Sequence, residues 1–155
     1  MIKPLVFALL MGSAFGAAQV PALGDDASDL IKKELERFQG TWQLISAESD
    51  GEKAPEDRVK QIQVKITGNK HTVTFGEQVI ARDVRFEIDP AATPKKVTDT
   101  LENGPEKGKK VFGIYRLENE MLTSCVAAIS KERPEAFESK PGSGHTLRIF
   151  RRIKE

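Results

Sequence analysis

The chain has 155 residues, 39% of them hydrophobic and 30% charged, which is enough apolar material for one core and too little length for a multidomain enzyme. Lys and Arg number 24 against 23 Asp and Glu, a net charge of +1, without the basic stripe that a nucleic-acid partner calls for. One cysteine and two histidines exclude an all-Cys/His zinc site and an intramolecular disulfide.

At the amino terminus, Lys3 precedes the apolar run Leu5-Val6-Phe7-Ala8-Leu9-Leu10-Met11, and the small residues Gly12, Ser13, Ala14, Gly16, Ala17 and Ala18 follow it. This layout predicts a secretory signal peptide over residues 1–18 and hence a periplasmic or secreted protein. The run is shorter than the roughly 20 residues that span a bilayer, so no permanent membrane anchor is expected. Cleavage would remove Lys3 and no acid, leaving a neutral mature chain. Residues 19–27, with Pro21, Gly24, Asp25 and Asp26 and no periodicity, read as a flexible tether.

Helical spacing begins after the tether. Ser28 or Asp29 can cap a first turn, Leu30, Ile31, Leu35 and Phe38 recur on one face, and Gly40 is placed to end the helix. From Gly40 the period changes to about two. Trp42, Leu44 and Ser46 share one face of a strand, and Asp50-Gly51 turns it. Pro55 and the residues after it can start a short helix. Ile62, Val64 and Ile66 alternate, as do His71, Val73 and Phe75, and Gly68-Asn69 joins the two strands as a hairpin. Ile80, Val84, Phe86 and Ile88 share a parity that Arg82 breaks.

Pro90 and Pro94 mark a corner. Residues 95–101 read as a short exposed strand, and residues 103–108 as a loop. Strands at 110–117 and 121–129 flank a tight hairpin at Glu118-Asn119-Glu120. A polar loop over 130–143 precedes a closing strand at 145–152. About eight short strands behind one short helix predict a mainly β fold, an antiparallel up-and-down barrel.

Several short stretches, in order, carry a family resemblance. They are Leu35-Glu36-Arg37-Phe38-Gln39-Gly40-Thr41-Trp42, Ile88-Asp89-Pro90 with Pro94-Lys95-Lys96, Gly113-Ile114-Tyr115, Leu122 with Cys125, Arg133-Pro134 with Phe137, and a terminal arginine at Arg151 or Arg152. The helix followed by Gly40-Thr41-Trp42 is similar to the lipocalin and calycin pattern. The whole set more closely resembles a bacterial lipocalin-like domain family abundant in planctomycetes and found in extracytoplasmic proteins. The resemblance implies a calycin-like barrel domain over residues 28–155 and carries no reaction with it.

The chain offers little for catalysis. No carboxylate pair stands in a context that separates a general acid and base from solvated surface groups. His71 shares its parity with Val73 and Phe75 and reads as a core or barrel-mouth histidine, while His145 follows Gly142-Ser143-Gly144 at a loop edge. Cys125 lies among small neighbours and reads as buried. Lys107-Gly108-Lys109-Lys110 lacks the strand-to-helix setting of a phosphate loop. Arg148, Arg151 and Arg152 put cations on both faces of the last strand, where one can lie across Trp42.

No catalytic residue, metal ligand or cofactor is therefore assigned, and the chain is read as non-enzymatic. The candidate ligand-binding residues are those expected inside the barrel: Trp42, Val64, His71, Val73, Phe75, Phe86 and Tyr115. They predict a module that binds a small hydrophobic molecule. The alternative is a structural or protein-interaction module of the cell envelope with a filled barrel and a protein partner. An open apolar cavity of about 300 Å³ or more would favour the first, and a filled interior the second.

Overall fold

Each strand of the barrel hydrogen-bonds to the next one along the chain, and the last returns to pair with the first, so the sheet closes on itself. The computed structural model describes residues 23–154; the expected signal peptide and residues 19–22 of the tether lie outside the described residues. A helix, α1 (Leu23–Phe38), leads into β1 (Gly40–Ser49), which carries a short flap strand, β2 (Glu52–Lys53). A single-turn helix, α2 (Glu56–Val59), follows Pro55 as expected of a proline at a helix start. The remaining strands are β3 (Ile62–Thr67), β4 (Lys70–Phe75), β5 (Gln78–Asp89), β6 (Lys95–Thr100), β7 (Lys110–Glu118), β8 (Met121–Val126) and β9 (Thr146–Arg152). With β2 outside the ring, β1 and β3 to β9 form a closed, antiparallel, up-and-down barrel of eight strands.

Alternation lines the interior with apolar side chains. Trp42 and Leu44 of β1, Ile66 of β3, Phe86 and Ile88 of β5, Tyr115 and Leu117 of β7, Leu122 of β8 and Phe150 of β9 make one buried cluster. Two β-bulges set which residues join it. In β1 the register slips between Leu44 and Ser46, and Ile45 is left exposed. Beyond the slip the parity is reversed: Ser46, expected to face inward with Trp42, is exposed, and Ala47 packs against the core instead. In β5 the pairing with β4 slips twice between Val84 and Val79, where Asp83 takes a left-handed φ of 50°. That strand therefore keeps Val84, Phe86 and Ile88 buried while Ile80, expected on their face, is 54% exposed.

Two further expectations are corrected. The helix already runs from Leu23, the first described residue, rather than from Ser28, so residues 23–27 of the expected tether are helical. Asp25 and Asp26 lie in the first turn, where a carboxylate meets the positive end of the helix dipole. Residues 95–101 were expected as an exposed strand, whereas β6 is paired on both sides, to β5 and β7, with Val97 packed on the core.

The last turn of α1 plugs one end of the barrel. Phe38 is buried against the rings of Tyr115, at 5.0 Å edge-on, and Phe86, at 5.7 Å. Glu34 is only 5% exposed and accepts hydrogen bonds from Lys95 Nζ (2.6 Å), Arg37 Nη1 (2.7 Å) and the Tyr115 hydroxyl (3.2 Å). Arg37 also donates to the Leu117 carbonyl of β7, and the Gln39 side chain spans both backbone groups of Gly68 in the β3–β4 turn. The first turns of the helix stand clear of the barrel, with Leu30 and Ile31 exposed.

A second, smaller packed layer lies outside the sheet. Ile114 and Cys125, on the outer faces of β7 and β8, are buried together with Pro134 and Ser139 of the loop over residues 127–145. Arg133 fastens that loop by donating to the Val97 and Gly113 carbonyls and to Thr98 Oγ1, with its guanidinium over the Phe112 ring.

Candidate functional site

The interior cluster does not fill the barrel. A cavity of about 70 Å³ remains above Phe38 and Tyr115, extending from the helix-plugged end toward Asp99, Val126 and Arg148. Since one water occupies roughly 10–15 Å³ on this measure, the space corresponds to about five waters. Hydrocarbon lines most of it: Phe38, Val64, Ile66 and Val73 on one side, and Phe86, Val97, Leu122 and Phe150 around the rest. His71, Asp99, Ser124 and Arg148 supply a polar region.

Of the seven residues expected at the site, five line the cavity: Val64, His71, Val73, Phe86 and Tyr115. Trp42 and Phe75 do not. Trp42 is wholly buried below the cavity, where its indole Nε1 donates to the Phe38 carbonyl at 2.8 Å. Phe75 is half-buried and pairs with Ile62 and Gln78 at the far ends of their strands. The residues that were not anticipated are chiefly Asp99, Ser124 and Arg148. The signal for Arg148 was its parity: it stands two residues from Phe150 on β9, and so shares the inward face. Asp99 was hidden by the reading of its strand as exposed.

The polar groups are unequally satisfied. His71 Nε2 lies 3.3 Å from Asp99 Oδ2, and both side chains retain 17% exposure, so this part of the cavity reaches solvent. His71 Nδ1 is covered and has no partner. Arg148 is half-buried overall, but its Nε is fully covered and also has no partner. Burial pushes the Arg148 guanidinium below its ordinary value, while the nearby Asp99 charge acts in the opposite sense; a guanidinium still remains a cation. Ser124 faces the same cavity with no hydrogen bond to His71, so the nucleophile-to-base contact that acyl transfer uses is not formed.

Cys125 stands apart from this site, on the outer face of β8, with its Sγ 3.4 Å from the Glu138 carbonyl. Burial pushes its thiol above the ordinary value, which leaves it a poor nucleophile. His145 sits in the outer loop, where its carbonyl accepts from Ser139 and from the Asp50 backbone amide. Among the described residues no three His, Cys, Asp or Glu side chains come together as a metal would require.

No protein-family model, curated protein or solved structure matches the chain. The chemistry of the site is accordingly that of its own residues: an apolar pocket with a His71–Asp99 pair at 3.3 Å and one arginine in no direct ion pair.

Proposed function

We propose that this protein is an exported, lipocalin-like binding module that holds a small, largely apolar molecule inside its barrel. The observation that carries the reading is the cavity above Phe38, with hydrocarbon walls and two covered, unpartnered nitrogens, His71 Nδ1 and Arg148 Nε. Buried polar atoms are nearly always paired, so two such atoms lining one cavity point to a guest or to water that completes them. Export is supported by the signal-like run before Ala18, and the lipocalin likeness by the stretch from Leu35 to Trp42 and the terminal arginine.

The cavity bounds the guest. About 70 Å³ is well short of the roughly 300 Å³ of a drug-sized pocket, which restricts an enclosed ligand to about ten non-hydrogen atoms on the volume of liquid that five waters would occupy. Fatty acids and isoprenoids of ordinary length cannot be wholly enclosed. Titration of the protein with a size-graded panel, from toluene and benzyl alcohol to palmitate and farnesol, tests this by two-dimensional NMR. Saturable shifts are expected around Val64, Val97 and Phe86 for the small members only, and Val73→Phe, which fills the cavity, should abolish them.

The small size of the cavity also favours a second reading, a filled barrel that serves as an interaction module of the cell envelope. Leu30 and Ile31, exposed on the free turns of α1, would then contribute to its contact surface. No binding across the panel would select this reading over the first.

A further inference from the structure

We infer that the molecule held in the barrel is a small carboxylate, its charge taken by Arg148 and its apolar body by the aromatic floor of the cavity. The inference rests on the reading of the interior as a binding site and adds to it the charge of the ligand. Arg148 stands on β9 between Ala47 of β1 and Ser124 of β8. It shares the inward parity of Phe150, and both line the cavity. None of the nine ion pairs among the described residues includes it. A guanidinium carries five N–H donors and accepts nothing, and its covered Nε meets no protein acceptor.

The neighbouring charges leave this cation available. Asp99 is the one carboxylate among the lining residues; it lies 3.3 Å from His71 Nε2 and acts on Arg148 only through space, forming no direct ion pair with it. A carboxylate guest would match the planar donor fork with two parallel, charge-assisted hydrogen bonds, which a neutral guest cannot do. At the opposite end the rings of Phe38, Phe86 and Tyr115 and the small volume suit an aromatic or short branched body.

Benzoate and its neutral counterpart benzamide, titrated against the purified protein by calorimetry and NMR, separate charge recognition from simple apolar filling. Benzoate is expected to bind at least about tenfold more tightly, the gain of charge-assisted over neutral hydrogen bonds. Arg148→Met and Arg148→Gln, each checked for a native near-ultraviolet circular dichroism spectrum, should lose that preference and bind the two probes alike. Equal affinities in the wild type, or a preference that persists in both variants, would overturn the charge assignment while leaving the interior site standing. Failure of benzoate, benzamide and toluene alike would overturn the interior site, and the inference with it.

Discussion

The Arg152 guanidinium lies over the Trp42 indole, 4.2 Å from the ring centroid, and the two residues are directly paired across β9 and β1. Both also reach back to the end of α1. Trp42 Nε1 donates to the Phe38 carbonyl, and Arg152 donates to the carbonyls of Arg37 and Gln39. Those carbonyls belong to the end of the helix, which has no partners of its own for them. The closing strand pair thus caps the leading helix, and the capping residues stack on each other.

Trp42→Ala should be among the most damaging single changes in the protein. It empties a fully buried position, and such truncations typically cost about 3–5 kcal/mol. Arg152→Ala should cost less, about 1–2 kcal/mol, because the stacking contribution is about 0.5–2 kcal/mol and water can reach part of the helix end. Chemical denaturation of the two single variants and the double variant checks this. The double variant should lose less than the sum of the single losses, since the stacking can be removed only once. An unchanged midpoint for Trp42→Ala would refute the placement.

Glu34 gives the fold a defined acid sensitivity. Burial alone would raise its pKa, but hydrogen bonds and charge from Lys95 and Arg37 outweigh that and hold it below its ordinary value of 4.5. A carboxylate with a lower pKa in the folded state contributes stability that is complete above the unfolded value and is lost as pH falls through the folded one. Glu34→Gln should therefore cost about 1–3 kcal/mol at neutral pH, and progressively less below about pH 4.5. Urea denaturation of both proteins between pH 3 and 7 would show the two stability curves converging at the acid end. A constant gap across that range would mean that the Glu34 charge contributes nothing.

Alternation in the sequence revealed the barrel, the inward face of β3, β4 and the later part of β5, and the burial of Trp42 beside a terminal arginine. It failed where a single inserted residue changes parity. Ile45 and Asp83 sit at bulges that no periodicity announces, since a bulge is set by the partner strand as much as by its own residues. Ser46 and Ile80 were misplaced for that reason. The site was half legible on the same grounds. Val64, His71, Val73 and Phe86 followed from parity, whereas Asp99 and Arg148 are charged residues on an inward face, where an alternating pattern calls for apolar ones. Glu34 escaped notice because its burial depends on Lys95 and Tyr115, far away in the chain.

Gly113 is required by close packing rather than by its backbone angles. A Cβ at this position would lie 2.8 Å from Val126 Cγ1, 2.9 Å from the Cys125 carbonyl and 3.2 Å from Val97 Cγ1. The Cys125 carbonyl is backbone and cannot swing aside. Gly113→Ala should cost about 1–3 kcal/mol through overpacking and should also loosen the Arg133 contact to the Gly113 carbonyl. Thermal unfolding measures the first effect. Faster amide exchange in residues 127–145 would report the second, and a melting temperature equal to that of the wild type would contradict both.

Arg148 should be a liability to the fold. Its guanidinium lies in the barrel cavity in no direct ion pair, and burial disfavours the charged form more than the nearby Asp99 charge favours it. Groups kept for stability are ordinarily paired when buried, because the cost of desolvating a charge is recovered only through good partners. Met has nearly the same reach, no charge, and the flexibility to pack against Phe150 and Val126. Arg148→Met should therefore stabilise the protein, by about 1–2 kcal/mol, seen as a higher melting temperature without ligand. Benzoate should then raise the melting temperature of the wild type more than that of the variant, whose gain should match the one benzamide gives, since the variant keeps the apolar site and loses the charge-assisted contact. A variant that melts below the wild type would instead make Arg148 a structural residue, held by contacts along its aliphatic stem.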